Sequence, residues 1–306
     1  MGIERLRMLL GVVLLSTSAS LWAEGWPTTD FEVLVVNERN QRVNWGVGGP
    51  LEQVLASWGI ELAELETEFP EATRNEIERL LDDSAELLEA WGFPPPGLRA
   101  PGRSGGVYRA FIVDGLDVSG RFHPTSCLRF ADPMILLNVR DILSGGELRE
   151  SGRYVVTHEL IHAVQFNMPF FDTPCSSGSA GAWITEGTAA AMGWDLVRLL
   201  HPPEPPVRRQ VWGPRSYSRP LPVPRPLREL STAAASVTPD PYETSNFWRY
   251  LAELYYTRRN GLSDPGVEAT APFDYRYLNT LFRLPPPERD CDEPGDSCLS
   301  ELRWLN

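Results

Sequence analysis

The sequence predicts an α+β domain in which a small mixed sheet comes first and two long helices follow it. Short runs rich in β-branched and aromatic residues, FEVLVV (31–36), VYRAFIVD (107–114) and MILLNVR (134–140), have the length and bounding turns of strands. Two later stretches, 151–167 and 182–200, carry apolar residues at helical spacing and run into prolines that cannot continue a helix. No internal repeat divides the chain, so residues 24–306 are expected to form one domain.

Taken in order, the first 23 residues place Arg5 and Arg7 before an apolar run from Met8 to Leu15, followed by small residues. That is the pattern of a secretory signal peptide, with cleavage expected after Ala23 and Ala19 as the alternative. The run falls short of the about 20 residues a bilayer span needs, so no stable membrane span is expected after cleavage. The mature chain is expected to be secreted or periplasmic.

Strand 31–36 is followed by two expected helices, Leu51–Glu68 and Asn75–Trp91. The second places Ile77, Leu80, Leu81, Leu87 and Leu88 at helical spacing, and the prolines of FPPPG (93–97) are expected to stop it. The next two strands, with turns between them, lead to the helix at 151–167. Residues 202–240 are rich in proline and read as a surface segment. A last helix is expected over Tyr242–Arg258, carrying Phe247, Trp248, Leu251 and Leu254.

A net charge of −13 offers no basic footprint for nucleic acid, which is excluded as a partner. Four cysteines in an exported chain fit two disulfides. CDEPGDSC closes a short loop of turn formers, favouring Cys291–Cys298 and leaving Cys127 with Cys175. No two cysteines have the two-residue separation of a thiolate zinc site.

The chemistry concentrates in THELIHAVQF (157–166). On a helix, residues four apart differ by about 40° in azimuth, so His158 and His162 project from one face and can share one ion. Glu159 lies about 100° away, placed to act on a water at that ion without ligating it. With four histidines in the chain, a shuffled sequence almost never yields this pattern. A third ligand is available on the next helix, where WITEGTAAAMGW (183–194) holds Glu186 among small residues, Gly187 and Ala189–Ala191, that permit close helix packing. A glutamate in so apolar a helix needs a partner. The bland reading puts it in an exposed first turn, favouring the helix dipole. His123 and His201 are the remaining histidines; a turn beside Pro124 and a helix C-terminus account for them.

HELIH followed by WITEGTA resembles the gluzincin metallopeptidases, the thermolysin-like clan, and especially its aminopeptidase N-like branch. The resemblance implies a thermolysin-like zincin fold and one zinc ion held by His158, His162 and Glu186, with Glu159 as general base and acid. It implies that MILLNVR is the edge strand along which an extended substrate lies. In DPYETSNFWRYL the match extends to Tyr242, which in that branch stabilises the oxyanion. The chain lacks the G-x-M-E-N segment that recognises a free amine there, so aminopeptidase specificity does not carry over. It is similar to a minimal gluzincin acting on peptides or proteins. The alternative is a non-catalytic module of the same fold, binding a peptide or partner around a structural zinc. Intact Glu159, Glu186 and Tyr242 favour the enzyme.

Overall fold

The computed structural model describes residues 30–37, 41–43, 50–57, 59–61, 69–96, 107–123, 133–171, 182–202 and 275–283, with single helical positions between 245 and 255. The expected signal peptide, the four cysteines, residues 203–240 and Tyr242 lie outside them.

The described elements are β1 (Asp30–Val35), α1 (Leu51–Ser57), α2 (Glu71–Ala90), β2 (Val107–Val113), β3 (Gly120–His123) and β4 (Met134–Asn138). A short helix α3 (Val139–Ile142) and a two-strand ribbon of β5 (Leu143–Ser144) and β6 (Glu147–Leu148) lead into α4 (Glu150–Gln165). After a 3-10 turn at Pro169–Phe171 come α5 (Ala182–Leu200) and α6 (Arg276–Phe282). The α+β class is observed, with a four-stranded mixed sheet of order β1-β2-β4-β3. Strands β1, β2 and β4 are parallel, and β3 runs antiparallel to β4.

Alternation along the strands divides the interior in two. Phe31, Val33, Tyr108, Ala110, Ile112, Ile135 and Leu137 join a core with Ile77 and Leu81 of α2, Val156 and Leu160 of α4, and Ile184 and Leu196 of α5. Phe111, Val113, Met134 and Leu136 join a second cluster with Leu51, Val54 and Leu55 of α1. Helices therefore cover both faces, which is why VYRAFIV and MILLN read as near-continuous apolar runs. Each fully buried Leu or Ile side chain contributes about 1.5–3 kcal/mol.

Strand MILLNVR corrects one expectation. All five residues of β4 are buried between β2 and β3, so it is an inner strand, and the edge beside α4 is β3. GRFH, read from the sequence as turn, forms that edge, with every residue half-buried. The opposite edge, β1, is covered by α2, whose Glu78 carboxylate accepts the Val33 N–H at 3.1 Å.

Helix boundaries also shift. The expected Leu51–Glu68 helix ends at Ser57, where Gly59 takes φ +74° and Ile60 N–H returns to Leu55 O. Residues 62–68 lie outside the described ones. Helix α2 begins at Glu71, earlier than Asn75, with Pro70 as its extended N-cap. It is stopped by Gly92 at φ +81°, with Phe93 N–H bonded to Leu88 O, before the prolines are reached. This is the glycine closure that satisfies terminal carbonyls, so proline was the wrong stop signal. Helices α4 and α5 match their expected spans closely. Among the described residues no helix is long and apolar enough to cross a membrane.

Candidate metal centre

Helix α4 is fixed at its start by Arg149 N–H bonded to Ile142 O and by an ion pair between Arg153 and Glu76 of α2. It lies against α5 in opposite sense, since Thr157 meets Gly193 while Gln165 meets Thr185. The backbones approach closely at Gly193: a Cβ there would sit 3.4 Å from His158 Cα and N. Thr157 Oγ1 bonds Gly193 O at 3.1 Å across the same crossing. Gly187 and the alanines, expected from the sequence to allow close packing, are buried, and Gly193 adds a further contact with His158.

Three side chains meet where these helices face each other. His158 Nε2 and His162 Nε2 are 3.0 Å apart, and Glu186 Oε2 lies 3.2 Å from the first and 3.4 Å from the second. The rings stand edge to face at 88°. Each residue offers one ligand atom, and the three form a possible metal-binding triad. Glu186 keeps 28% of its side-chain surface, yet its carboxylate turns to the histidines, not outward into a dipole-favouring turn.

Glu186 and the two histidines also act on one another electrostatically. Burial raises the Glu186 pKa, but hydrogen bonds from His158 and His162 outweigh it and hold the carboxyl well below its usual range. Burial lowers the His162 pKa, and the Glu186 carboxylate reverses that, pushing it up to about 9. The ring Nδ1 atoms also have partners: Gln165 Oε1 at 2.8 Å for His162 and the Tyr154 hydroxyl at 3.2 Å for His158. Tyr154 in turn stacks on Trp194 of α5, with ring centroids 4.4 Å apart.

Glu159 does not join the triad. It is 6% exposed, and its Oε2 accepts the backbone N–H of Phe122 on β3. Burial raises its pKa, partly offset by attraction to His158 and His162. Gly120 makes room for it, since a Cβ there would lie 3.1 Å from Glu159 Oε1 and 2.4 Å from Val155 Cγ1. Asn138 N–H bonds Ser119 O, so the alternating antiparallel pattern turns the N–H and C=O of Gly120 and Phe122 to the free side of β3. Glu159 thus sits on the outer side of β3, the edge strand among the described residues.

Of the other histidines, His123 ends β3, with its pKa lowered to about 4 by burial and Arg121. His201 is exposed just past α5, where its N–H bonds Val197 O. Among the described residues neither belongs to a possible metal-binding group. The helix expected after Tyr242 is helical at Ser245, Trp248, Arg249, Leu251, Ala252 and Tyr255. It docks beside α5 through Arg249 Nε, 3.5 Å from the fully buried Asp195, whose other oxygen accepts the Tyr275 hydroxyl at 2.7 Å. Sequence reading missed Tyr154 and Gln165 as partners of the histidines. The signal was present: each stands one helical turn from a histidine, at i+4 and i+3 spacing.

Comparison of the chain with protein-family models, with curated proteins and with solved structures returned no match.

Proposed function

We propose that the chain is an exported zinc-dependent peptidase of minimal gluzincin type, with a thermolysin-like fold. The observation that carries this reading is the triangle of donor atoms. Zinc bonds of about 2.0–2.2 Å at tetrahedral angles set ligand atoms about 3.3–3.6 Å apart. The separations here are 3.0, 3.2 and 3.4 Å. His158, His162 and Glu186 would hold the ion, and three protein ligands leave a fourth position for water, as in catalytic sites. When bound, zinc supplies Lewis acidity and lowers the pKa of a water to about 7.

Glu159 would serve as the general base and acid, accepting a proton from water and giving it to the departing amine. The outward N–H and C=O of Gly120 and C=O of Phe122 suit pairing with an extended peptide or protein segment along β3. Tyr242 is proposed as the oxyanion donor on the strength of its P-Y-E context. The link from Asp195 to Arg249 supports this, since it holds the following helical turns beside the Glu186 helix. Export rests on the N-terminal pattern of Arg5, Arg7 and the apolar run.

Digestion of a peptide library by the purified mature chain, with and without a chelator and with metal analysis in parallel, tests the reading. One zinc per chain and chelator-sensitive cleavage are expected. Zinc well below stoichiometric, or cleavage indifferent to the chelator, overturns it.

A further inference from the structure

Gln165 stands one turn beyond His162, is almost fully buried, and meets partners whose hydrogen-bonding roles are fixed. Its Nε2 donates to Thr185 O at 3.1 Å and to Thr188 Oγ1 at 2.7 Å. The Thr188 hydroxyl gives its single proton to Ile184 O at 2.6 Å, so toward Gln165 it only accepts. Two acceptors on one side leave the amide a single orientation, with Oε1 facing His162 Nδ1 at 2.8 Å. An amide oxygen cannot donate. Nδ1 of His162 must therefore carry a proton, which puts the lone pair of the neutral ring on Nε2, the atom that converges with His158 and Glu186.

We propose that Gln165, oriented by Thr185 and Thr188, is a positioning residue that sets the tautomer and ring plane of His162 and ties it to the Glu186 turn of α5. Thr185 and Thr188 flank Glu186 in sequence, so one amide holds both the ring on α4 and the segment bearing the third ligand. Partners behind a metal-binding imidazole are commonly carboxylates, which raise ring basicity. A neutral amide orients the ring without adding a charge to a centre that already holds Glu186 and Glu159. This inference rests on the zinc reading above.

The test compares the unaltered chain with Gln165→Met, Gln165→Glu and Thr188→Val. Zinc affinity is read by competition with a chelating dye, folding by circular dichroism, and ring N–H signals by nitrogen-proton correlation on the zinc-loaded protein. Gln165→Met removes the acceptor and is expected to weaken zinc about 10- to 100-fold. Gln165→Glu keeps an acceptor and is expected to restore most of that loss, which a purely packing role for the side chain would not do. In the unaltered chain the His162 ring proton should reside on Nδ1 and exchange slowly; in Thr188→Val it should exchange faster. Unchanged affinity in a folded Gln165→Met, or a His162 ring proton on Nε2 with zinc bound, overturns the inference alone. If Gln165→Met does not fold, an unchanged exchange rate in Thr188→Val overturns it instead. Failure of the unaltered chain to bind zinc overturns the proposed function, and this inference with it.

Discussion

Glu159 on α4 accepts a hydrogen bond from the backbone N–H of Phe122 on β3, which joins the carboxylate beside the possible metal-binding triad to the edge strand of the described sheet. The contact fixes one carboxylate oxygen and leaves the other facing Gly120. Replacing Glu159 by Gln keeps an acceptor for Phe122 and removes the proposed base. Zinc content should stay at one per chain while peptide turnover falls about 10²- to 10⁴-fold, the range of general acid–base catalysis. Metal analysis and peptide turnover on the same preparation check both halves.

Gly120 should tolerate no side chain. A Cβ would meet Val155 Cγ1 at 2.4 Å and Glu159 at 3.1 Å, so either these side chains or β3 must shift. Gly120→Ala is expected to cost about 1–3 kcal/mol, as overpacking does. Turnover should fall in parallel, because the displaced strand carries the Phe122 N–H. Urea unfolding and steady-state assays on the one variant show whether the two losses come together.

Glu186→Ala should abolish stoichiometric zinc binding and reduce affinity by more than the about 10- to 100-fold that changes behind the ligands cost. Isothermal titration of zinc into the metal-free variant reads this directly. An affinity equal to that of the unaltered chain would remove Glu186 from the triad's chemistry.

The metal-free chain should show a pH signature. His162 is raised from 6.5 to about 9 by Glu186, and Glu186 is lowered from 4.5 by His158 and His162. The raised His162 contributes stability that is complete below pH 6.5 and is lost as pH rises through 9. The lowered Glu186 contributes stability that is complete above pH 4.5 and is lost on acidification. Their joint contribution is therefore greatest from about pH 4.5 to 6.5. Zinc must displace the His162 proton, so its affinity should rise about tenfold per pH unit up to about 9 and then level off. Urea unfolding in chelator across this range, and zinc titration in parallel, test the two signs independently.

Asp195 is fully buried on α5, holding the Tyr275 hydroxyl and lying 3.5 Å from Arg249. Asp195→Ala removes the buried carboxylate that holds the Tyr275 hydroxyl and faces Arg249, and should destabilise the fold by about 3–5 kcal/mol. Thermal or urea unfolding of the variant provides the measurement.

Much of the triad could be read in the chain because its logic is local. Helical spacing alone puts His158 and His162 on one face, and the apolar surroundings of Glu186 demand a partner. The same local rules located α4 and α5 almost to the residue and the three longer strands within a position or two. They failed for β3, because GRFH is too short and too polar to announce itself and becomes a strand only when β4 offers it a ladder. They failed for the sheet edge as well: an unbroken apolar run says that a strand is covered on both faces, not which neighbours it pairs with.

By itself, then, the sequence determined which residue types stand one helical turn apart, and so which side chains can share an ion. Only the tertiary structure decided that Glu186 reaches the two histidines, that Glu159 turns to Phe122 instead, and that Gln165 stands behind His162. The reason is physical: spacing along a helix follows from its 3.6-residue period, whereas the meeting of α4, α5 and β3 depends on long-range packing. Where α4 meets β3, that packing is permitted at Gly120 by the absence of a single carbon atom.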